Sequence, residues 1–225
     1  MTVEYAVISI GALSHNRLWG ESAPSRTPHA TTILVTDGDR RILVDPGLPG
    51  AALEARFNER TGLHLADVTD VFCTTLRPAH RRGALALPKA RWWSSESERE
   101  WALGRLRELE GSADRLGAEE LAAVREDLKV VERFRPAPER FGRQTELFLL
   151  AGPSPGCTGL LLTPQTQTVV VAGDAALTAE HVLRAQVWDG CQDAEAALES
   201  LRSILEIADA IIPGHDNVLF SAGHW

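Results

Sequence analysis

The stretch Thr74-Thr75-Leu76-Arg77-Pro78-Ala79-His80 decides the fold, together with three shorter segments in similar settings. These are Pro155-Gly156-Cys157-Thr158, Ala172-Gly173-Asp174 and Ile212-Pro213-Gly214-His215. Each of the four follows an apolar run with the length and composition of a β-strand. Because ligand-binding loops gather at the ends of strands, we expect the four segments to meet at one edge of the fold.

The chain is predicted to contain a β-rich part followed by helices, and then a second β-rich part followed by a helix. Apolar alternation predicts a strand over residues 3–10, and Thr36-Asp37-Gly38-Asp39 is a turn sequence that favours a β-hairpin. The remaining pattern predicts helices over 51–61, 95–109, 117–131 and 193–207, with strands at 31–35, 41–44, 68–74, 91–93, 147–150, 160–162, 168–171 and 210–212. Residues 133–143 are predicted to form a surface loop. This order predicts one domain over residues 1–225, an α/β (α+β) protein built as a four-layer αββα sandwich of two mixed β-sheets flanked by helices.

Composition excludes several classes of function. The 225-residue chain has a formal net charge of -8, which disfavours nucleic-acid binding because phosphate affinity depends on clustered Lys and Arg. The sequence shows no leader pattern and no uninterrupted apolar stretch of membrane-spanning length, so we expect a cytoplasmic protein without membrane attachment. Its three cysteines, Cys73, Cys157 and Cys191, lack the spacing of a disulfide framework or a zinc knuckle.

The four segments resemble the metal-binding motifs of the metallo-β-lactamase superfamily, and the resemblance covers nearly the whole chain. The marker segment of that family reads T-H-x-H-x-D-H and corresponds to residues 74–80. Thr75, Arg77 and Ala79 stand in place of its first His, its second His and its Asp. Only the last histidine of the marker, His80, is kept.

The later ligands of the family are a His after Pro-Gly, an Asp after Gly, and a final His after Pro-Gly. The corresponding positions are Cys157, Asp174 and His215. In the family the first two histidines of the marker and the Pro-Gly-His hold a first metal. The marker Asp, the last His of the marker and the final His hold a second, and the later Asp bridges both. The resemblance implies that the first site is nearly erased, while the second keeps His80, Asp174 and His215. Asp45 matches a family Asp that does not bind metal itself but orients the residues that do.

The three surviving side chains are a minimal ligand set for one divalent ion. Two imidazoles and a carboxylate suit zinc, with ferrous iron or manganese as alternatives, and leave coordination positions open for water and substrate. Cys157 could add a thiolate ligand, or it could be a small buried residue tolerated where no metal remains.

Three further residues are predicted to lie in the cleft of this site. Arg77 cannot coordinate a cation, so it argues against metal in the first site. It could pair with Asp174 or another carboxylate, or it could serve as a fixed charge for an anionic ligand. Thr75 occupies an erased ligand position, and His29 precedes the second strand, where it could face the mouth of the site.

Two functional hypotheses follow from this pattern. The first is a metal-dependent hydrolase with at most one ion. Its activity should be weak, because Ala79 cannot accept a hydrogen bond from the reacting water. The second is a catalytically inactive, metal-free pseudoenzyme that binds a small ligand or a partner protein through the cleft that holds the metal ions in the family. Under either hypothesis we expect a small-molecule ligand in the cleft, and Trp188-Asp189-Gly190 is a candidate contact surface for a homodimer.

Overall fold

The computed structural model describes residues 2–221, so residues 1 and 222–225 of the predicted domain lie outside the described part. A six-stranded sheet is formed within residues 4–136 in the order β1-β2-β3-β4-β5-β6. Its antiparallel members β1, β2 and β3 are followed by parallel pairings from β3 through to β6. The strands are Glu4–Ser9 (β1), Thr32–Asp37 (β2), Arg40–Val44 (β3), Asp70–Phe72 (β4), Arg91–Ser94 (β5) and Arg135–Pro136 (β6).

A second, five-stranded sheet is formed within residues 145–220 in the order β11-β10-β9-β8-β7. Only β9 and β10 run parallel; the other neighbours are antiparallel, so this sheet is also mixed. Its strands are Thr145–Leu149 (β7), Thr158–Leu162 (β8), Val169–Gly173 (β9), Ala210–Pro213 (β10) and Leu219–Phe220 (β11).

Helices cover the outer faces of both sheets. The six α-helices are Gly50–Thr61 (α1), Pro78–Arg81 (α2), Glu96–Gly111 (α3), Ala118–Glu132 (α4), Ala179–Leu183 (α5) and Ala194–Ile207 (α6). Short 3-10 turns at Arg17–Trp19, Leu65–Asp67, Ala84–Ala86 and Ala113–Arg115 complete the regular structure of the described residues. No helix among residues 2–221 is long and apolar enough to cross a membrane.

Three clusters of buried side chains hold the four layers together. The central cluster joins the inner faces of the two sheets, with Ile33 and Val44 on one side and Leu160 and Val171 on the other. A second cluster packs α1, α3 and α4 against the first sheet, and a third packs α6 against the second. The predicted four-layer αββα sandwich is confirmed, and every layer is held by burial of apolar surface.

Local sequence explains most element boundaries. Ser95 caps α3 by accepting a hydrogen bond from the backbone N–H of Glu98, and Asp193 caps α6 in the same way. The hairpin of β2 and β3 turns at Gly38, whose φ of 64° is easily adopted by glycine. The structure adds elements that the pattern did not predict: α2, α5, β11, and β6 within the stretch predicted as a surface loop.

Candidate metal centre

A short helix at the end of β4 places His80. Arg77 precedes α2, and Pro78 occupies the first turn of that helix, where a missing N–H leaves no acceptor unsatisfied. The His80 side chain is 1% exposed and lies between the two sheets' loops. The marker segment thus runs from the end of β4 into α2, the helix that contains His80.

Two neighbouring parallel strands deliver Asp174 and His215. Asp174 follows β9 and His215 follows β10, so both lie at the carboxyl edge of the second sheet. Gly173 has a φ of 54°, and a Cβ there would lie 2.3 Å from Thr74 Oγ1. Only glycine allows β9 and the marker segment to approach this closely.

His80, Asp174 and His215 meet in one buried cluster. His80 Nε2 lies 3.1 Å and His215 Nε2 3.2 Å from the same oxygen, Asp174 Oδ1. One donor atom from each of the three residues lies within 4.8 Å of the others. The two imidazole rings are perpendicular, with centroids 5.5 Å apart. This convergence brings together three residues that are far apart in the sequence.

The outer nitrogen of each imidazole is held by a fixed acceptor. His80 Nδ1 lies 3.1 Å from Asp45 Oδ2, and His215 Nδ1 donates to the carbonyl oxygens of His29 at 3.0 Å and Ala12 at 3.2 Å. Since carbonyl oxygens only accept, the Nδ1 of His215 carries a proton. Metal-binding histidines in proteins are usually oriented in this way, with the other nitrogen left for the ion.

Asp45 holds the marker segment as well as the imidazole. Its two oxygens accept hydrogen bonds from the backbone N–H of Thr74 at 2.8 Å and from the Thr74 hydroxyl at 2.7 Å. Its backbone has a φ of 48°, an unusual left-handed conformation for a residue other than glycine. Asp45, which was predicted to orient the metal ligands, therefore contacts both His80 and the loop that carries it.

Arg77 takes the second oxygen of Asp174. Its Nη1 lies 2.5 Å from Asp174 Oδ2, and its Nη2 donates to the carbonyl oxygen of Pro153 at 2.6 Å. The guanidinium also stacks on the ring of Trp188, 4.4 Å from the ring centroid. Of the two predicted alternatives for Arg77, pairing with Asp174 is the arrangement that the structure shows.

The comparison with protein families agrees with this architecture. The family model of the metallo-beta-lactamase superfamily matches residues 26–215. The chain belongs to this superfamily. No curated protein sequence is similar enough to count as a match.

Solved structures share the superfamily fold at low sequence identity. A Thermotoga maritima protein, provisionally described as a metallo-beta-lactamase, is 16% identical with a TM-score of 0.71, covering 98% of this chain and 100% of that one. The dizinc quorum-quenching lactonase AidC is 16% identical with a TM-score of 0.69, covering 99% and 90%. A quorum-quenching N-acyl homoserine lactone hydrolase is 20% identical with a TM-score of 0.67, covering 96% and 93%. At these identities the likeness establishes the fold.

The charges of the centre balance one another. Burial alone would lower the pKa of His80, but the carboxylates of Asp174 and Asp45 outweigh it and raise this pKa to about 10. Burial likewise opposes ionisation of Asp174, yet His80, His215 and Arg77 hold its pKa well below the usual range. Without an ion, His80 and Arg77 are therefore two cations set against two carboxylates.

The other residues predicted to lie in the site or at its mouth do not form a ligand set. The Thr75 side chain is fully buried, and its hydroxyl has no hydrogen-bond partner among the described residues. Cys157 is fully buried in the apolar cluster under α6, where burial raises the pKa of its thiol well above normal. It is not a member of the cluster of His80, Asp174 and His215. His29 contributes its backbone carbonyl to His215, while its imidazole contacts the carbonyl oxygen of Ile10 at 3.2 Å.

The remaining donors fit one divalent ion and do not fit two. Two imidazole nitrogens and one carboxylate oxygen, all buried and converging, are a donor set that could hold zinc, ferrous iron or manganese. At the other site, Arg77 contributes a positive charge where a ligand is needed.

A cavity of about 940 Å³ opens over this cluster. Its wall includes His80, Asp174, His215 and Arg77, so the proposed donors face a space large enough for a small molecule. Sequence reasoning did not assign four other residues to this site: Asn16, His181 and Trp188 in the wall, and the buried Glu98, which accepts hydrogen bonds from Leu76 N and Ser154 Oγ. Trp188 was instead predicted to lie in a dimer contact surface. None of these four stands in a recognisable motif, so no local signal could have identified them.

Proposed function

We propose that this protein is a hydrolase of the metallo-beta-lactamase superfamily that works with one divalent ion, held by His80, Asp174 and His215. The two carboxylate oxygens of Asp174 have different partners, and this difference supports the proposal. Its Oδ1 faces both imidazole Nε2 atoms, while its Oδ2 is paired with Arg77. The guanidinium thus stands in for the other ion of the superfamily, and one ion site is left.

Each residue then has a defined task. When bound, the ion would lower the pKa of a water molecule and polarise the bond to be cleaved. Asp45 and the carbonyls of His29 and Ala12 keep both imidazoles oriented for it. Arg77 uses two of its five N–H donors on Asp174 and Pro153, so others are left to bind an oxygen of the substrate.

The mainly apolar cavity indicates a small organic substrate rather than a polymer. Two of the similar structures are lactone hydrolases by name, which makes uncharged lactones and esters reasonable first assay substrates for this chain. Ala79 provides no carboxylate beside the reacting water, so we expect slow hydrolysis.

Metal content and hydrolysis measured together test the proposal. Protein loaded with zinc and then desalted should retain about one ion per chain, and His215→Ala should lose both the ion and any ester hydrolysis. His64→Ala is the matched control, because His64 is a surface histidine that pairs with Glu54. Wild-type protein that retains no zinc, iron or manganese, and whose thermal stability is unchanged by chelator, would contradict the proposal.

A metal-free binding module is the second candidate, and the charge balance favours it. His80 and Arg77 already set two positive charges against the carboxylates of Asp45 and Asp174, so the buried cluster needs no ion to balance these charges. In that case Arg77 and the surrounding cavity would bind a small ligand without cleaving it. Ligand binding by protein that stays metal-free and inactive toward esters would favour this candidate.

A further inference from the structure

A buried carboxylate, that of Glu98, joins the two segments that hold Arg77. Glu98 lies in the first turn of α3, and both Glu98 and its partner Ser154 are 0% exposed. Its Oε1 accepts a hydrogen bond from the backbone N–H of Leu76 at 2.8 Å, and its Oε2 accepts one from the Ser154 hydroxyl at 2.5 Å. A buried carboxylate with a partner on each oxygen is fixed in one position.

The two partners of Glu98 lie at the two ends of the Arg77 side chain. Leu76 directly precedes Arg77 in the marker segment, so its hydrogen bond fixes the backbone from which the Arg77 side chain starts. Ser154 directly follows Pro153, whose carbonyl oxygen accepts from Arg77 Nη2 at 2.6 Å. Glu98 therefore holds both the origin of this side chain and an acceptor for its guanidinium.

The segment that contains Pro153 also depends on α3 for its position. Residues 152–157 are here called the proline loop. Gly156 of this loop lies so close to α3 that a Cβ there would be 1.9 Å from the backbone nitrogen of Glu98. Ser95, which caps α3, donates its hydroxyl to the carbonyl oxygen of Gly156 at 2.6 Å. The proline loop is thus packed on the first turn of α3, and Ser154 connects it to the Glu98 carboxylate.

A fixed support matters for Arg77 because an arginine side chain is long and loses much rotamer entropy when it is held in one position. Its guanidinium pairs with Asp174 and stacks on Trp188, and both of these contacts are at the charged end. Burial raises the pKa of Glu98, while the positive charge of the nearby Arg77 opposes this rise. Glu98 and Arg77 are therefore close enough to influence each other without a direct hydrogen bond.

We propose that Glu98 is a positioning residue that keeps the Arg77 guanidinium on Oδ2 of Asp174. It acts through its hydrogen bonds to Leu76 and Ser154, and it does not touch the ion or the substrate. Because Arg77 occupies Oδ2, only Oδ1 is left for an ion. The inference rests on the proposed function for the part that Arg77 plays beside the ion, and it names the residue that keeps Arg77 there.

The reactivity of Arg77 toward phenylglyoxal in full-length, metal-free protein tests this role. The reagent modifies guanidinium groups, and pairing with a buried carboxylate protects them. Glu98→Met keeps the length of the side chain but removes both acceptors, so Arg77 should be modified about 3- to 10-fold faster. Ser154→Ala removes one of the two hydrogen bonds and should give a rise of about 2- to 3-fold. Peptide mass spectrometry measures each site separately, and Arg17, which lines the same cavity and pairs with Asp189, is the internal reference.

Two control variants separate positioning from general loosening of the fold. Glu98→Gln retains an acceptor for Leu76 and a polar group for Ser154, so it should keep Arg77 protected. Thr158→Val removes another buried hydroxyl next to the proline loop, one that donates to the carbonyl oxygen of Gly156 at 2.9 Å. It should leave the reactivity of Arg77 unchanged, because Thr158 makes no hydrogen bond to Glu98.

Unchanged reactivity of Arg77 in Ser154→Ala and Glu98→Met would overturn the proposal. An equal rise in Thr158→Val would overturn it too, and Ser154→Ala decides alone if Glu98→Met does not fold. Zinc retention is measured on the same variants. Protein that retains zinc but shows no change at Arg77 defeats this inference alone, whereas protein that retains no metal and shows the expected change defeats only the proposed hydrolase.

Discussion

Replacing Arg77 by methionine should destabilise the metal-free protein strongly and the zinc-loaded protein much less. The substitution keeps a long side chain near Trp188 but removes the cation from Asp174 Oδ2 and the hydrogen bond to Pro153. Asp174, which is 3% exposed, would keep only its imidazole partners. An ion bound by Asp174 would supply the missing positive charge.

The size of the effect follows from the burial of this pair. Removing one partner of a buried ion pair costs about 3–5 kcal/mol. Because the Arg77 side chain is 20% exposed and Asp174 keeps two imidazole contacts, we expect the lower end of that range, about 3 kcal/mol. For a chain of 225 residues this corresponds to a fall in Tm of about 6–12 °C.

Urea unfolding in chelator and in zinc measures both halves of this prediction. Arg77→Met should lose about 3 kcal/mol of unfolding free energy in chelator and less than about half of that in zinc. Arg77→Lys is the control that retains the charge but not the forked geometry, so it should recover part of the loss. Equal losses in the two conditions would refute the reasoning, because Arg77 and the ion would then not share Asp174.

Three other substitutions test the centre and its supports. Asp45→Asn should weaken zinc binding about 10- to 100-fold in a competitive chelator titration, because His80 loses its charged partner. Asp39→Asn in the β2–β3 turn is the control and should leave the affinity for zinc unchanged. Unchanged zinc affinity of Asp45→Asn would exclude an orienting role for Asp45. Burial raises the pKa of Glu98 above 4.5, so this group adds stability below pH 4.5 that is lost as the pH rises through its folded pKa. The unfolding free energy of Glu98→Gln relative to wild type should therefore increase from pH 4 to pH 7, and a flat difference would argue against a raised pKa. Gly152→Ala should cost about 3 kcal/mol in thermal unfolding, because φ is 128° and the new Cβ would lie 2.2 Å from Ala197 N, while Gly111→Ala, with open space around it, should be nearly neutral.

The fold was largely predictable because its signals are local. The hairpin turn at Thr36-Asp37-Gly38-Asp39 and the amphipathic helix at 193–207 need only a few neighbouring residues to be recognised, and both form as predicted. Short elements such as α5 and β6 lack enough residues to show a period. Their existence depends on tertiary contacts, so the pattern did not reveal them.

The centre was predictable only in part, because its geometry depends on long-range contacts. Motif resemblance brought His80, Asp174 and His215 together, and the structure places them in one cluster. The partner of Arg77 was one of two alternatives, since Asp174 lies 97 positions away and nothing local selects it. Spacing also could not show that the Cys157 side chain lies in the apolar cluster under α6.

The left-handed backbone of Asp45 sets a limit on how this protein can be engineered for heat resistance. Glycine at this position would relax the backbone, which is commonly worth about 1 kcal/mol or more. The same change would release Thr74 and remove the carboxylate partner of His80 Nδ1. A search for thermostable variants that scores only backbone strain would choose that replacement, and would thereby remove the carboxylate that positions the marker segment and His80.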